Sequence, residues 1–136
     1  MNGDIIINKT ETIKRCLARI KEEYVSYEDE LENNYTKQDS IILNLESAAQ
    51  ASIDVSTHII RIKQLGIPKR SRDVCTLLKQ HKIISSKTSE QMKKMVGFRN
   101  IAVHDYQNIS LDIVKSIIEN NLPDFECSSK EIINAR

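Results

Sequence analysis

Met92-Lys93-Lys94-Met95-Val96-Gly97-Phe98-Arg99-Asn100-Ile101-Ala102-Val103-His104 decides how the rest of the chain is read. Its apolar residues recur at steps of three and four, the period of an amphipathic helix and not the alternation of a strand. On a wheel at about 100° per residue with Arg99 at zero, Met92, Met95, Val96 and Val103 fall within about 60° of it. Arg99 therefore sits in the middle of the apolar stripe. Tyr106, continued on the same wheel, falls on the Arg99 face, while Asn100 and His104 flank the stripe on one side. An arginine in that position either sends its head out to water along a packed stem, pairs, lines a cleft, or faces a second chain.

The same period governs the chain on either side. Ile13, Cys16, Leu17, Ile20, Tyr24, Tyr27 and Leu31 form one stripe, with the acidic stretch 28–34 exposed before a turn. Thr36-Lys37-Gln38-Asp39 resembles a capping box that opens a second helix, whose stripe is Ile42, Leu45, Ala49, Ser52, Ile53, Ile59 and Ile60. Ala48, Ala49, Ala51 and Ser52 invite close approach by a neighbour. Leu65-Gly66-Ile67-Pro68 ends that helix, with glycine as the left-handed cap. Ser71 caps a short third helix, Thr88 or Ser89 starts the fourth, and Ser110 caps a last one that Pro123 kinks or stops. The expectation is an all-α bundle of four or five helices in one domain, 1–136, with an irregular tail after residue 123.

Composition agrees. Of 136 residues, 40% are hydrophobic and 29% charged, with three Gly and two Pro, which argues against disorder and against a turn-rich β fold. No apolar run approaches the ~20 residues needed to span a bilayer, and the opening residues do not resemble a secretion signal. Cys16, Cys75 and Cys127 are odd in number and widely spaced, so neither a disulfide framework nor a thiolate metal site is expected. A reduced, cytoplasmic chain follows. The net charge of +1 conceals a pattern. Residues 1–60 hold 6 Lys/Arg against 11 Asp/Glu, residues 61–104 hold 11 against 2, and residues 105–136 hold 3 against 6. The basic middle is either a solvated helix face or an electrostatic footprint for a phosphate-bearing partner.

Arg99-Asn100-Ile101-Ala102-Val103-His104-Asp105-Tyr106 resembles the R-x-x-x-x-H-x-Y motif of HepT-type toxins in the HEPN ribonuclease superfamily, with Arg99, Asn100, His104 and Tyr106 matching. The stretches 4–9, 38–45 and 65–68 resemble that family too, so the likeness covers much of residues 4–122. It implies a HEPN-type helical homodimer and an endoribonuclease that uses no metal or cofactor. The residue types suit that chemistry. Histidine moves protons near neutral pH, and arginine presents a permanently charged fork to phosphate oxygens. Asn100 either orients the His104 ring or donates to the phosphate.

One motif per chain leaves an acid–base pair one residue short, and a two-fold dimer supplies the second copy. The resemblance also implies a partner, a minimal nucleotidyltransferase antitoxin of the MntA type, which transfers AMP onto Tyr106. Lys69, Arg70, Arg72, Lys93 and Lys94 are the candidate RNA-phosphate contacts within a wider basic set. His58 and His81 are read as structural or solvated. The competing reading is a non-catalytic helical dimer that serves as a binding module for a nucleotidyltransferase or a nucleic acid.

Overall fold

The computed structural model describes the backbone of residues 2–135 and the side chains of residues 5–134. Met1 and Arg136, the outer limits of the expected domain, and the Asp4 side chain lie outside the described residues. Among these there are six α-helices: α1 (Asn2–Tyr24), α2 (Tyr35–Ile62), α3 (Ser71–Gln80), α4 (Ser86–His104), α5 (Leu111–Asn120) and α6 (Leu122–Ala135). Two 3-10 turns, Glu28–Asn33 and Tyr106–Asn108, join α1 to α2 and α4 to α5. The all-α expectation holds.

The count is one helix higher than four or five, because the residues after 123 form α6 rather than an irregular tail. Pro123 is the second residue of that helix, in the first turn, where its missing N–H has no intrahelical acceptor to lose. It stops α5 and permits α6. The Asn121 side-chain amide donates to Asp124 Oδ2 at 2.8 Å across the joint. Phe125 and Ile132 then enter the core at 2% and 1% exposure.

Several helix ends move from their expected places, by about a turn or less except at the end of α1, each for a local reason. α1 stops at Tyr24, so the stripe does not run on: Tyr27 is exposed, and Leu31 reaches the core from the 3-10 turn. Asn34, not Thr36, caps α2, its side-chain oxygen accepting from the Lys37 N–H at 3.0 Å. Ser85 caps α4 through the Thr88 N–H at 3.1 Å, leaving Thr88 and Ser89 buried inside the helix. Arg70 precedes α3, and Asp73 Oδ2 accepts from the Lys69 and Arg70 N–H groups, both at 3.1 Å. At the end of α2 the left-handed residue is Gln64, φ 53°, not Gly66. The Leu65 and Gln64 N–H groups reach back to Ile60 O at 3.0 Å and Arg61 O at 3.2 Å, the paired bonds of a Schellman cap. Gly66 follows at φ 138°, and a Cβ there would meet Leu77 Cδ2 at 3.1 Å.

α2 is the spine, packed by α1, α3, α4 and α6. Its Ala48, Ala49, Ala51, Ser52 and Ser56 are all buried, and the two serine hydroxyls donate to carbonyls one turn back. One apolar cluster lies toward the start of α2. There Ile13, Leu17, Ile20, Ile41 and Leu45 meet Met95, Phe98, Val114 and Phe125. A second, toward its end, joins Ile53, Ile59 and Ile60 to Val74, Leu78, Met92, Val96 and Ile132. α4 threads both clusters. Tyr24 ties α1 to α5 by donating to Glu119 at 2.6 Å.

Two outcomes are expected from this packing. Phe125→Ala should cost about 3–5 kcal/mol by chemical denaturation, and a loss below about 1 kcal/mol would contradict a core role for α6. Burial first, and then Glu119, push the Tyr24 phenol up to about 12. A phenol raised in the folded state holds its proton more tightly than in the unfolded chain. Its stabilising contribution is therefore complete below about pH 10 and lost as pH rises through about 12. The urea midpoint should fall across that window, and fall less in Tyr24→Phe.

Candidate functional site

α4 carries the motif to its own end. Buried Met92, Met95, Val96, Phe98 and Ala102 define the inner arc, with Arg99 at its centre as the wheel requires. Val103, placed on that arc by periodicity, is 43% exposed, because the core gives out in the last turn. Arg99 is half-buried. One of its amino groups donates to Asn100 Oδ1 at 3.0 Å, and its Nε is enclosed with no hydrogen-bond partner among the described residues. The Asn100 side-chain oxygen is thus tied to the guanidinium, and its amide N–H groups remain for other acceptors. His104 is the last helical residue and is exposed.

The helix then breaks. Asp105, at φ −148° and ψ 47°, caps α4, its N–H donating to Ile101 O at 2.7 Å. Its carboxylate accepts from the Asn108 amide at 2.7 Å and shapes the 3-10 turn. Tyr106 opens that turn, so its position on the α4 wheel does not apply. It is neither a core tyrosine nor on the Arg99 face of a continuous helix. It is 43% exposed, and its hydroxyl donates to Asp39 on α2. Burial first, and then the Asp39 carboxylate, push this phenol up to about 12.

Asp39 is the contact of Tyr106 that sequence reading missed. It stands 67 positions from Tyr106, and its capping-box spacing offered a sufficient local explanation. The actual cap is Asn34, which leaves Asp39 in the second turn of α2 with no capping duty.

The basic candidates divide. Arg70, Arg72 and Lys93 line one shallow groove of about 290 Å³, together with Asp73 and Thr76. Lys93 also pairs with Glu90 at 3.6 Å. Lys69 is exposed just before α3, whereas Lys94 borders a different groove. That second groove, about 430 Å³, is apolar and is walled by Met95, Phe98, Ile101, Ile117 and Phe125 among others. Neither groove includes Arg99, Asn100, His104 or Tyr106. His58 is buried in α2, and the His81 ring meets Leu65 O at 3.2 Å, in keeping with structural roles. Among the described residues no group of three or more His, Cys, Asp or Glu is arranged to hold a metal ion, and no helix is long and apolar enough to cross a membrane.

Comparison with known proteins places this arrangement. The profile described as ribonuclease HepT-like matches residues 13–132. The chain is 52% identical to mRNA nuclease HepT of Shewanella oneidensis over 124 residues, 91% of this chain and 92% of that protein. A crystal structure of a toxin–antitoxin with AMP-PNP superposes with a TM-score of 0.92 at 49% identity, covering 98% of this chain and 99% of that one. A structure of the tri-AMPylated Shewanella oneidensis HEPN toxin in complex with MNT antitoxin gives 0.91 at 50% identity, with 98% of each chain covered. An α4 that ends on Arg99, Asn100 and His104, with Tyr106 on the turn beyond, is thus set in a fold and a sequence shared with these toxins, and the chain belongs to the HepT-like ribonuclease family.

Proposed function

We propose that this chain is the toxin of a toxin–antitoxin pair, a cytoplasmic endoribonuclease that cuts RNA without a metal ion at a cleft built by two copies of α4. mRNA is the substrate class named for the Shewanella relative. The observation that carries the reading is Arg99: a half-buried guanidinium at the centre of an apolar arc, with an enclosed Nε that finds no partner among the described residues. Arg99 and His104 are five residues apart on one helix, about 7.5 Å along its axis and about 140° around it. They diverge, and neither the basic nor the apolar groove contains them. Apposing two copies about a two-fold axis gathers both arginines and both histidines at one cleft and doubles the acid–base inventory.

The chemistry follows from the residue types. The substrate's 2′-oxygen attacks the adjacent phosphorus, and the 5′-oxygen leaves. His104 takes the proton from the hydroxyl, while His104 of the partner subunit protonates the leaving oxygen. Arg99 stabilises the charge that builds on the phosphorane, with Asn100 fixing its fork. The groove of Arg70, Arg72 and Lys93, with Lys69 and Lys94 nearby in sequence, steers the backbone toward the cleft. DNA, lacking the 2′-hydroxyl, is not cut.

Control falls to Tyr106. A nucleotidyltransferase antitoxin of the MntA type adds AMP to its hydroxyl, two residues beyond His104. The added phosphate offsets the arginine charge, and the adenosine occupies the approach to the cleft. The AMPylated state of the superposed Shewanella toxin supports this reading.

Three outcomes test it. Arg99→Ala and His104→Ala should each reduce RNA cleavage in EDTA by at least about 100-fold, and retention of wild-type cleavage by either contradicts the assignment. Tyr106→Phe should escape neutralisation by the antitoxin and ATP. Apparent RNA affinity should fall steeply between low and physiological salt, less so when Arg70, Arg72 and Lys93 are all replaced by alanine.

A further inference from the structure

The described residues include four tyrosines, and their surroundings differ in a way that bears on which one accepts AMP. Tyr24 donates to Glu119 but is 5% exposed. Tyr35 is the most open at 76%, and Tyr27, 46% exposed, lies under Lys37 Nζ at 4.2 Å. Neither donates its hydroxyl to a carboxylate among the described residues. Tyr106 alone combines an exposed ring with a carboxylate on its hydroxyl. Exposure by itself selects Tyr35.

We propose that Asp39 is the proton acceptor that prepares the Tyr106 hydroxyl for AMP transfer, so that this chain brings part of the chemistry of its own inactivation. The inference rests on the reading of Tyr106 as the AMP acceptor. At neutral pH the phenol is protonated, since burial and the Asp39 carboxylate hold it near 12. Attack on phosphorus therefore needs somewhere for the proton to go. Asp39 already accepts that hydrogen bond before any partner arrives.

In the transfer, the Tyr106 oxygen forms a bond to the α-phosphorus of ATP, supplied with its divalent cation by the transferase. The bond from that phosphorus to the β-phosphate oxygen breaks, and pyrophosphate leaves with the electron pair. The phenolic proton passes to an Asp39 carboxylate oxygen and then to water. A carboxylate placed on an attacking hydroxyl is an arrangement that phosphoryl-transfer sites use elsewhere. The contact also orients the phenol, since α2 is fixed by the core whereas the 3-10 turn has no buried side chain of its own.

Asn at position 39 accepts the same hydrogen bond through its carbonyl oxygen but takes up no proton, which separates orientation from proton transfer. The full chain, native or Asp39→Asn, Asp39→Glu or Asp39→Ala, is incubated with the cognate transferase and magnesium ATP. Intact mass gives the rate, peptide mapping gives the site, and circular dichroism verifies the fold. Asp39→Asn should slow modification by at least about 100-fold near neutral pH, recovering as pH is raised toward about 9 and hydroxide replaces the carboxylate. Asp39→Glu should restore part of the rate. Modification of Tyr106 in Asp39→Asn at the native rate overturns the role of Asp39 and leaves the AMP acceptor standing. Native-rate modification by Asp39→Asn with loss only in Asp39→Ala shows a latch and overturns the proton-acceptor role. AMP placed on Tyr35, or none on the native chain, overturns both readings.

Discussion

Close packing along α2 is the constraint on which the rest of the molecule depends. Ala48, Ala49, Ala51, Ser52 and Ser56 present almost no side chain beyond the helix cylinder, so neighbours approach α2 from several sides at once. The serines remain compatible with burial because their hydroxyls are satisfied within the helix, at 3.1 and 2.8 Å from carbonyls one turn back. Larger side chains there would push α4 outward. The register that places Arg99 over the centre of the inner arc, and Tyr106 beside Asp39, would shift with it. Site geometry is therefore a consequence of small residues on α2, a different helix from the one that carries the motif.

The charge distribution has a matching logic. The basic excess of residues 61–104 is carried by α3, its flanking loops and α4, while the acidic flanks fall mainly on the other helices. Some of that acid is already engaged. Glu32 pairs with Lys115 at 3.0 Å, Asp54 with Lys9 at 3.1 Å, and Glu23 with Lys37 at 3.6 Å. These are surface or partly exposed pairs and add little to stability. These pairs lie outside the basic segment, within which Arg70, Arg72 and Lys93 share a groove.

Much of this was legible in the sequence, and the exceptions have physical causes. Helical periodicity is a property of neighbouring residues, so the stripes, the arginine within one of them and the all-α class emerge without coordinates. The family motif singled out Arg99, Asn100, His104 and Tyr106 as candidates. Helix ends depend on which of several capping residues wins, and Asn34 and Ser85 each prevailed over a plausible capping box one or more residues downstream. Pro123 reads as an end although it is also a beginning, since a period that breaks there carries no information about the next helix. The wheel failed at Tyr106 because Asp105 leaves helical geometry. Asp39 was invisible for a different reason. Its contact spans 67 residues and is set by the packing of α2 against α4, which no local pattern encodes.

The interruption at Asp105 separates two properties that a continuous helix would have fused. Tyr106, Gln107 and Asn108 contribute no buried side chain, and the α4 backbone ladder is closed before them by the Asp105 cap. A bulky group appended to Tyr106 hangs from this short turn, outside the two clusters that hold the helices together. A modification at this position would therefore leave the structure intact. A chain silenced there, as proposed above, would be a folded reserve, and its return to service would be a matter of removing an adduct rather than of making the protein anew.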